Sequence, residues 1–171
     1  IITVTKDNLS GLKRTYTSIK NQTCRDFEHI IIDGASTDHT VDFLKTTTAQ
    51  WHSQPDKSLY DAMNKGLKLA NGAYILFLNA ADTLASNDIL QTIKTTTEKT
   101  SPALIYGNSI EEGNIKPART PQIKNGMFTH HQAMFYAKEY IGSLTYNLTY
   151  KIAADYDFTA RFLSQTPSKK T

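Results

Sequence analysis

Hydrophobic and polar positions alternate along this chain with two different periods, and the two periods follow one another in turn. Short runs of β-branched and aromatic residues, typical of strands, occupy positions 1–5, 27–32, 73–78, 103–106 and 132–136. Apolar residues spaced three or four apart, typical of helices, occupy positions 9–19, 41–44, 59–70, 89–93 and 153–163. Because the two kinds of element alternate, we predict a layered α/β fold with a mostly parallel sheet.

Polar residues mark where several of these elements should begin and end. We expect Asn8 or Ser10 to cap the first helix. Ser86 is expected to cap the helix predicted at 89–93. Leu59 is expected on the apolar, buried face of the helix that it begins. The polar segment 107–125 contains two prolines and predicts a hairpin or a loop.

Length and charge narrow the class of protein before any motif is considered. The 171 residues suit a single domain, with 39% hydrophobic and 20% charged residues. The net charge of +3 is too balanced to predict nucleic-acid binding. No apolar run approaches the roughly 20 residues that span a bilayer. The single cysteine, Cys24, excludes an internal disulfide and favours a reducing compartment. The chain opens on a strand-like run without Met, so we expect a domain trimmed at both ends.

Three polar residues follow three of the predicted strands. Thr5 ends the first strand, Asp33 ends the second, and Asp82 follows the apolar run of YILFLNAADTL. In open α/β sheets, ligands bind in the crevice beyond the carboxyl ends of the strands. We therefore expect these three side chains to gather on one edge of the sheet.

Each candidate group also has a purely structural interpretation. Asp33 could bond its own turn, and Asp82 could interact with the dipole of the helix that follows it. A single carboxylate is a weak metal site unless phosphates of the substrate supply further oxygens. Asp155 lies at the start of the last helix, where acids are ordinary, although a general base has to be a carboxylate or histidine held near the acceptor. His131 alone is more often a structural residue than a ligand.

Six stretches, in chain order, resemble the family 2 glycosyltransferases. They read ITVTKDN, IIIDGASTDHT, SQPDKSLYDAMNKG, YILFLNAADTL, HHQAMF and AADYDF, and they cover nearly the whole chain. The third and fifth are most similar to the bacterial branch that builds capsule, exopolysaccharide and lipopolysaccharide. The resemblance implies the GT-A fold, a Rossmann-like arrangement of three α/β/α layers. Signatures of dehydrogenases, P-loop enzymes, α/β-hydrolases and zincins are absent from the sequence.

The resemblance implies a nucleotide pocket built from the first half of the chain. Thr5 and Asp33 would line the nucleoside pocket, with Asp33 facing the nucleobase. Asp56 and Lys57 would border the nucleotide, and Asn64 would lie close by. The donor implied is a nucleotide diphosphate sugar, with a UDP-sugar preferred.

The resemblance assigns the chemistry to residues of the second half. Asp82 matches the last acid of an Asp-x-Asp-type motif and would hold a divalent metal, Mn²⁺ or Mg²⁺, on the diphosphate. Asp155 would be the base in an inverting transfer to an acceptor hydroxyl. His131 and Gln132 match a His-Gln pair on the acceptor side, where a saccharide or a lipid-linked saccharide would bind.

The departures from the family pattern keep an alternative open. Ala80 and Ala81 stand where many members carry a second acid, and Ala154 replaces a Glu before the proposed base. A non-catalytic nucleotide-sugar binding module would retain the pocket and lose turnover. A sugar-1-phosphate nucleotidyltransferase is less favoured, because KDNLSGLKR is not a convincing phosphate loop. The location implied is cytoplasmic, with peripheral attachment to the inner face of the membrane and a homodimer as open alternatives.

Overall fold

The computed structural model describes residues 1–167, and all side chains in that range except that of Ile123. The strands are β1 (Ile2–Thr5), β2 (Ile30–Asp33), β3 (Gln50–Ser53), β4 (Tyr74–Leu76), β5 (Leu104–Tyr106), β6 (Ser109–Glu111), β7 (Asn114–Lys116) and β8 (Met134–Ala137). The helices are α1 (Leu9–Lys20), α2 (Thr40–Leu44), α3 (Leu59–Leu69), α4 (Ile89–Thr100), α5 (Lys138–Ile141) and α6 (Ala154–Gln165). Within the described residues, no helix combines the length and apolar character needed to cross a membrane.

The central sheet is built from two three-stranded units that join side by side. In the first unit β1, β2 and β3 are parallel, and Thr5 lies opposite Asp33. In the second unit β8 lies between β4 and β5 and is antiparallel to both. The units join where the N–H of Leu78 donates to the carbonyl of Ile2 at 2.9 Å, beside an isolated parallel bridge. The strand order is therefore β3-β2-β1-β4-β8-β5.

Alternating side chains of β2 show how the layers form. Ile30 and Ile32 point toward residues of α3 and α6. Ile31, between them, packs on the opposite face with Leu12 of α1 and Leu44 of α2. Successive residues of a strand point to opposite faces, so a strand that is apolar throughout requires helices on both sides. The layered α/β fold with a mostly parallel sheet is confirmed.

The segment before β8 differs from the sequence prediction. The strand predicted at 132–136 begins at Met134, because His131–Ala133 forms a 3₁₀ turn. Of the two alternatives for 107–125, the hairpin is the one observed: β6 and β7 pair antiparallel. The turn matters for the site, because it sets the direction of two predicted site side chains.

The predicted caps have different outcomes. Asn8 caps α1, since its side chain accepts a hydrogen bond from the N–H of Gly11 at 3.1 Å. The prediction that Ser86 caps α4 is wrong: α4 begins at Ile89, and the N–H of Leu90 donates to the side-chain oxygen of Gln22 at 3.0 Å. A distant side chain therefore satisfies this helix end.

Leu59 is the second local prediction that the structure corrects. Its side chain is half-exposed, whereas Met63 and Leu67 of the same helix are buried. Leu59 is the first residue of α3, at the edge where the loops after the strands collect, so the sheet does not extend far enough to cover it.

Candidate active site

The carboxylate of Asp155 is held by side chains from two other elements. His131 Nδ1 lies 3.2 Å from its Oδ2, and the hydroxyl of Tyr60 donates to its Oδ1 over a longer distance of 3.4 Å. The hydrogen bond from His131 lowers the pKa of Asp155, against the opposing effect of burial. The carboxylate is therefore ionised at neutral pH and held in a defined position, as a general base requires.

An aromatic stack supports this pair from below. The ring of Tyr60 stacks on Tyr146 at 5.4 Å, and Tyr146 stacks on Phe158 of α6 at 4.5 Å. Asn64 fixes the backbone of Tyr146, because its amide donates to the Tyr146 carbonyl at 2.9 Å and accepts from the Tyr146 N–H at 2.7 Å. Asn64 thus has a structural role in the observed contacts, and its predicted place beside the nucleotide stays a prediction.

Backbone conformation sets the direction in which Asp155 points. Ala153, the residue before α6, has a φ of 65°, in the left-handed region that side chains other than glycine rarely adopt. Ala154 follows it and is completely buried in the apolar core. A glutamate at position 154 would bring a carboxylate into that apolar core, so the surroundings favour Ala over Glu at this position.

Asp82 lies beyond β4 and contacts the residue that follows His131. The amide of Gln132 donates to Asp82 Oδ2 at 3.2 Å, and the hydroxyl of Thr15 donates to the Asp82 backbone carbonyl at 2.7 Å. Ala81 has a φ of 90° and turns the chain sharply before Asp82. The carboxylate is half-buried at the edge of the sheet.

The residues around Asp82 fit a divalent cation only together with a phosphorylated ligand. Within residues 1–167, no group of three or more His, Cys, Asp or Glu side chains could hold an ion. Asp82 offers hard oxygen ligands, which suit Mg²⁺ or Mn²⁺. The remaining oxygens would come from a diphosphate, which is how such ions are commonly shared between protein and substrate.

Asp33 and Thr5 lie opposite each other at the carboxyl ends of their strands. Asp33 is fully buried, and its carboxylate accepts hydrogen bonds from the N–H of Ser36 at 3.1 Å and the hydroxyl of Ser53 at 2.6 Å. The Ser36 hydroxyl is a third donor to it. By contrast, the buried hydroxyl of Thr5 has no hydrogen-bond partner among the described residues. Asp33 therefore bonds both its own turn and the end of β3, while Thr5 offers an unused polar atom.

Asp56 and Lys57 lie in the loop after β3. The Asp56 carboxylate is largely buried and pairs with the ammonium group of Lys65. A Cβ added at Gly34 would lie 3.1 Å from Asp56 Oδ2, so the loops after β2 and β3 meet closely at this edge. Lys57 is exposed, and its N–H donates to the carboxylate of Asp61 at 3.0 Å.

The described residues form clefts with different linings. A cleft of about 330 Å³ contains His131 and Asp155, and the hairpin residues Glu111 and Lys116 also line it. A larger cleft of about 410 Å³ lies at the amino ends of β2 and β3. Among its described lining residues, Glu28 is the one carboxylate. The smaller cleft is the candidate active site, because it contains the pair formed by the partly buried Asp155 carboxylate and His131.

Five contributing residues were not predicted as site residues from the sequence. They are Ser36, Ser53, Tyr60, Lys65 and Tyr146. The dense polar pattern of PDKSLYDAMNKG gave a signal for Tyr60 and Lys65. Tyr146 lies in a stretch without any motif, so only the folded chain reveals it.

Comparison with known proteins identifies the family. The sequence profile described as glycosyl transferase family 2 matches residues 1–165. A PGL/p-HBAD biosynthesis glycosyltransferase of Mycobacterium bovis is 36% identical over 159 residues, covering 86% of this chain and 62% of that protein. The chondroitin synthase of Escherichia coli is 28% identical over 171 residues, with 91% of this chain but only 25% of the synthase covered. The chain thus spans less than two thirds of the length of these relatives.

Solved structures establish the fold. Staphylococcus aureus TarS in complex with UDP superposes with a TM-score of 0.81 at 17% identity, over 96% of this chain and 54% of TarS. The mannosyltransferase PcManGT of Pyrobaculum calidifontis, in complex with GDP-Man and Mn²⁺, gives a TM-score of 0.73 at 15% identity, over 94% and 50% of the two chains. The predicted GT-A fold is confirmed. On the profile match over residues 1–165, the chain belongs to glycosyl transferase family 2.

Proposed function

We propose that this chain forms the donor-binding and catalytic part of an inverting glycosyltransferase. The donor is a nucleotide diphosphate sugar, with a UDP-sugar preferred. The acceptor is a hydroxyl of a saccharide or lipid-linked saccharide in the synthesis of a bacterial surface polysaccharide or glycoconjugate. The curated relatives act in PGL/p-HBAD biosynthesis or as a chondroitin synthase, which supports a glycoconjugate product.

One observation carries the proposal: two consecutive side chains connect Asp155, the predicted base, with Asp82, the predicted metal ligand. His131 contacts Asp155 and Gln132 contacts Asp82, at distances of 3.2 Å in both cases. A base for the acceptor and a ligand for the donor diphosphate must lie on either side of the sugar that is transferred. A single turn that contacts both carboxylates supports a shared site for the two substrates.

The proposed reaction is a single displacement at the anomeric carbon. The acceptor oxygen forms the new bond from the side opposite the diphosphate, while the bond to the diphosphate oxygen breaks and that oxygen keeps the electron pair. Asp155 Oδ2 or Oδ1 takes the proton of the acceptor hydroxyl as it attacks. A positioned carboxylate typically accelerates such a step by about 10²–10⁴-fold. Because there is one displacement, the configuration of the sugar inverts.

A divalent cation bound by Asp82 and the diphosphate would supply charge stabilisation for the leaving group. TarS is described with UDP and with UDP-GlcNAc, and PcManGT with GDP-Man and Mn²⁺. Proteins of this fold therefore bind uridine as well as guanosine nucleotides. Thr5 and Asp33 are our proposed nucleoside residues, with Asp56 and Lys57 bordering the nucleotide. The unpartnered hydroxyl of Thr5 supports this assignment.

The cellular setting of the proposed enzyme follows from its substrates. Nucleotide sugars are made in the cytoplasm, so we propose a cytoplasmic location, and a lipid-linked acceptor would bring the protein to the inner face of the membrane. No role with nucleic acid is proposed. A homodimer stays a prediction.

A melting-temperature screen with UDP, GDP and TDP, each with and without Mn²⁺, tests the donor site. A ligand at about 100 times its Kd stabilises the native state by about 2.7 kcal/mol, which is measurable. We expect UDP with Mn²⁺ to give the largest shift, and UDP-GlcNAc to release UDP slowly in the same mixture. Binding without any turnover would instead support the non-catalytic module, for which the missing second acid at Ala80 and Ala81 is the motivation. No shift with any nucleotide would contradict the proposal.

A further inference from the structure

The contacts of His131 differ from those of a residue that simply lines an acceptor pocket. Its ring is mostly buried, and its Nδ1 lies 3.2 Å from Asp155 Oδ2. Its other ring nitrogen, Nε2, is buried and has no hydrogen-bond partner among the described residues. Among the described residues, the contact with Asp155 is therefore the one polar contact that orients the His131 ring.

We propose that His131 is the positioning residue of the active site: its Nδ1–H holds the Asp155 carboxylate in the direction from which it meets the acceptor hydroxyl. The inference rests on the proposed function, in which Asp155 is the base. In this proposal His131 acts on the reaction through Asp155, whereas the family resemblance implied a place on the acceptor side.

The tautomer follows from the chemistry of the pair. A carboxylate accepts hydrogen bonds only, so the proton of a neutral His131 lies on Nδ1 and Nε2 is bare. Oδ1 of Asp155 receives the weaker bond from Tyr60, at 3.4 Å. The carboxylate is therefore held mainly through Oδ2, and loss of His131 would leave it free to rotate.

The backbone at His131 is itself fixed, so the ring can act as a support. The 3₁₀ turn His131–Ala133 ends in β8, which is buried along its whole length. Gln132 anchors the same turn to Asp82 beyond β4. A positioning group has to be more rigid than the group that it orients. This turn meets that requirement, because it continues into β8 and is hydrogen-bonded to Asp82 through Gln132.

The electrostatic surroundings of the pair are mixed in sign. The titratable groups that face it are Tyr60 from α3, Tyr146 and Tyr136 beneath it, and Glu111, Lys116, Arg119 and His130 along the cleft. Of the groups around it, His131 has the largest effect on Asp155 and lowers its pKa. Removing that hydrogen bond raises the pKa, so the carboxylate becomes protonated at a higher pH.

Two matched variants of His131 test the inference. The amide nitrogen of Asn lies where Nδ1 of His does, so His131→Asn keeps a donor toward Asp155, whereas His131→Gln carries its donor at the Nε2 position. With UDP-GlcNAc as probe, we expect His131→Gln to lower kcat about 10- to 100-fold, as loss of an orienting partner does. Its KM should stay unchanged and the acid limb of its pH profile should move to higher pH. His131→Asn should retain most of the activity and the original limb.

A second measurement does not depend on turnover. The pKa of the Asp155 carboxyl is read by carbon-13 NMR in the whole chain, with Asp155→Asn identifying the signal. We expect a higher pKa in His131→Gln than in the wild type, and a value close to the wild type in His131→Asn. Equal pKa values in all three proteins would overturn the inference. It would also be overturned if His131→Asn were as inactive as His131→Gln and neither variant moved the pH profile, because the ring itself would then take the proton. If the Asp155 pKa is higher in His131→Gln than in the wild type, but the wild type shows no turnover, the proposed function alone is overturned.

Discussion

Backbone strain at single residues accompanies the proposed site carboxylates. Three alanines within residues 1–167 have positive φ: Ala35 at 59°, Ala81 at 90° and Ala153 at 65°. Each lies within two residues of Asp33, Asp82 or Asp155. Such conformations cost of order 1–3 kcal/mol and persist where the surrounding structure enforces them. The sequence could not reveal them, because alanine carries no signal for a left-handed conformation.

The side chain of Asp155 is the residue on which the proposed chemistry depends most. Asp155→Asn preserves the shape and the contact with His131 but removes the proton acceptor. Sugar transfer should therefore fall at least about 10²-fold, whereas donor binding should be nearly unchanged. Initial rates and calorimetric titration with UDP check the two parts. Asp157→Asn, two residues further along α6 and paired with Arg161, is the control that should keep full activity. Full activity in Asp155→Asn would remove this residue from the mechanism.

Asp82 should affect the donor rather than the acceptor. Asp82→Ala removes the only carboxylate proposed to share a cation with the diphosphate. We expect the stabilisation by UDP to become independent of Mn²⁺, because the ion then has only phosphate oxygens and water as ligands. Melting temperatures with UDP, with and without Mn²⁺, measure this directly. A variant that still needs Mn²⁺ for binding would mean that the ion is held elsewhere.

At the scale of elements, the sequence predicted well which segments form helices and strands. It predicted poorly which side chains of different elements contact each other. β1, β2, β4 and the five longer helices appear near their predicted positions, because their apolar periods are strong. The start of α4 was missed, since Gln22 caps it from the end of α1, 68 residues away. The contact of Asn64 with Tyr146 was not foreseen for the same reason, because the two residues are 82 positions apart. Local patterns carry no information on such partners.

The packing of α3 on the sheet depends on one glycine. A Cβ at Gly66 would lie 2.5 Å from Cγ2 of Ile2, which is fully buried in β1. Gly66→Ala should therefore destabilise the protein by about 1–3 kcal/mol from overpacking, reduced by up to about 1 kcal/mol of helix propensity. Urea denaturation measures the difference. At Gly107 an added Cβ meets nothing within 4 Å, so Gly107→Ala is the matched control and should have little effect.

At the scale of the whole molecule, the two ends of the sheet serve different purposes. The carboxyl ends of the strands carry Thr5, Asp33 and, beyond β4, Asp82. At the opposite ends, His29 is buried before β2, where its Nε2 lies 2.9 Å from the hydroxyl of Thr3. The sequence predicted the first edge from general rules of α/β sheets, but it gave no reason to single out His29. Its burial follows from packing under Tyr16, whose ring stacks on it at 6.0 Å.

His29 should make the stability of the protein depend on pH from about 6.5 downward, starting above the range in which most carboxylates titrate. Burial lowers the pKa of His29 from 6.5 to about 3. Between these two values His29 of the unfolded chain binds a proton that His29 of the folded chain does not, so the contribution of His29 to stability is complete above about pH 6.5 and declines as the pH falls. From pH 6.5 to 5 the loss should reach up to about 2 kcal/mol, at about 1.4 kcal/mol for each unit.

Urea denaturation at pH 7.5 and 5 separates this contribution from the rest. In His29→Gln the overall stability is lower, but the amide can still bond Thr3 and has no proton to gain, so the difference between the two pH values should shrink. His52→Gln replaces an exposed histidine of β3 and should leave the difference as in the wild type. If the His29 variant retained the full pH dependence, the folded chain would have to accommodate the charged ring, and the rigid packing of this end of the sheet would be refuted.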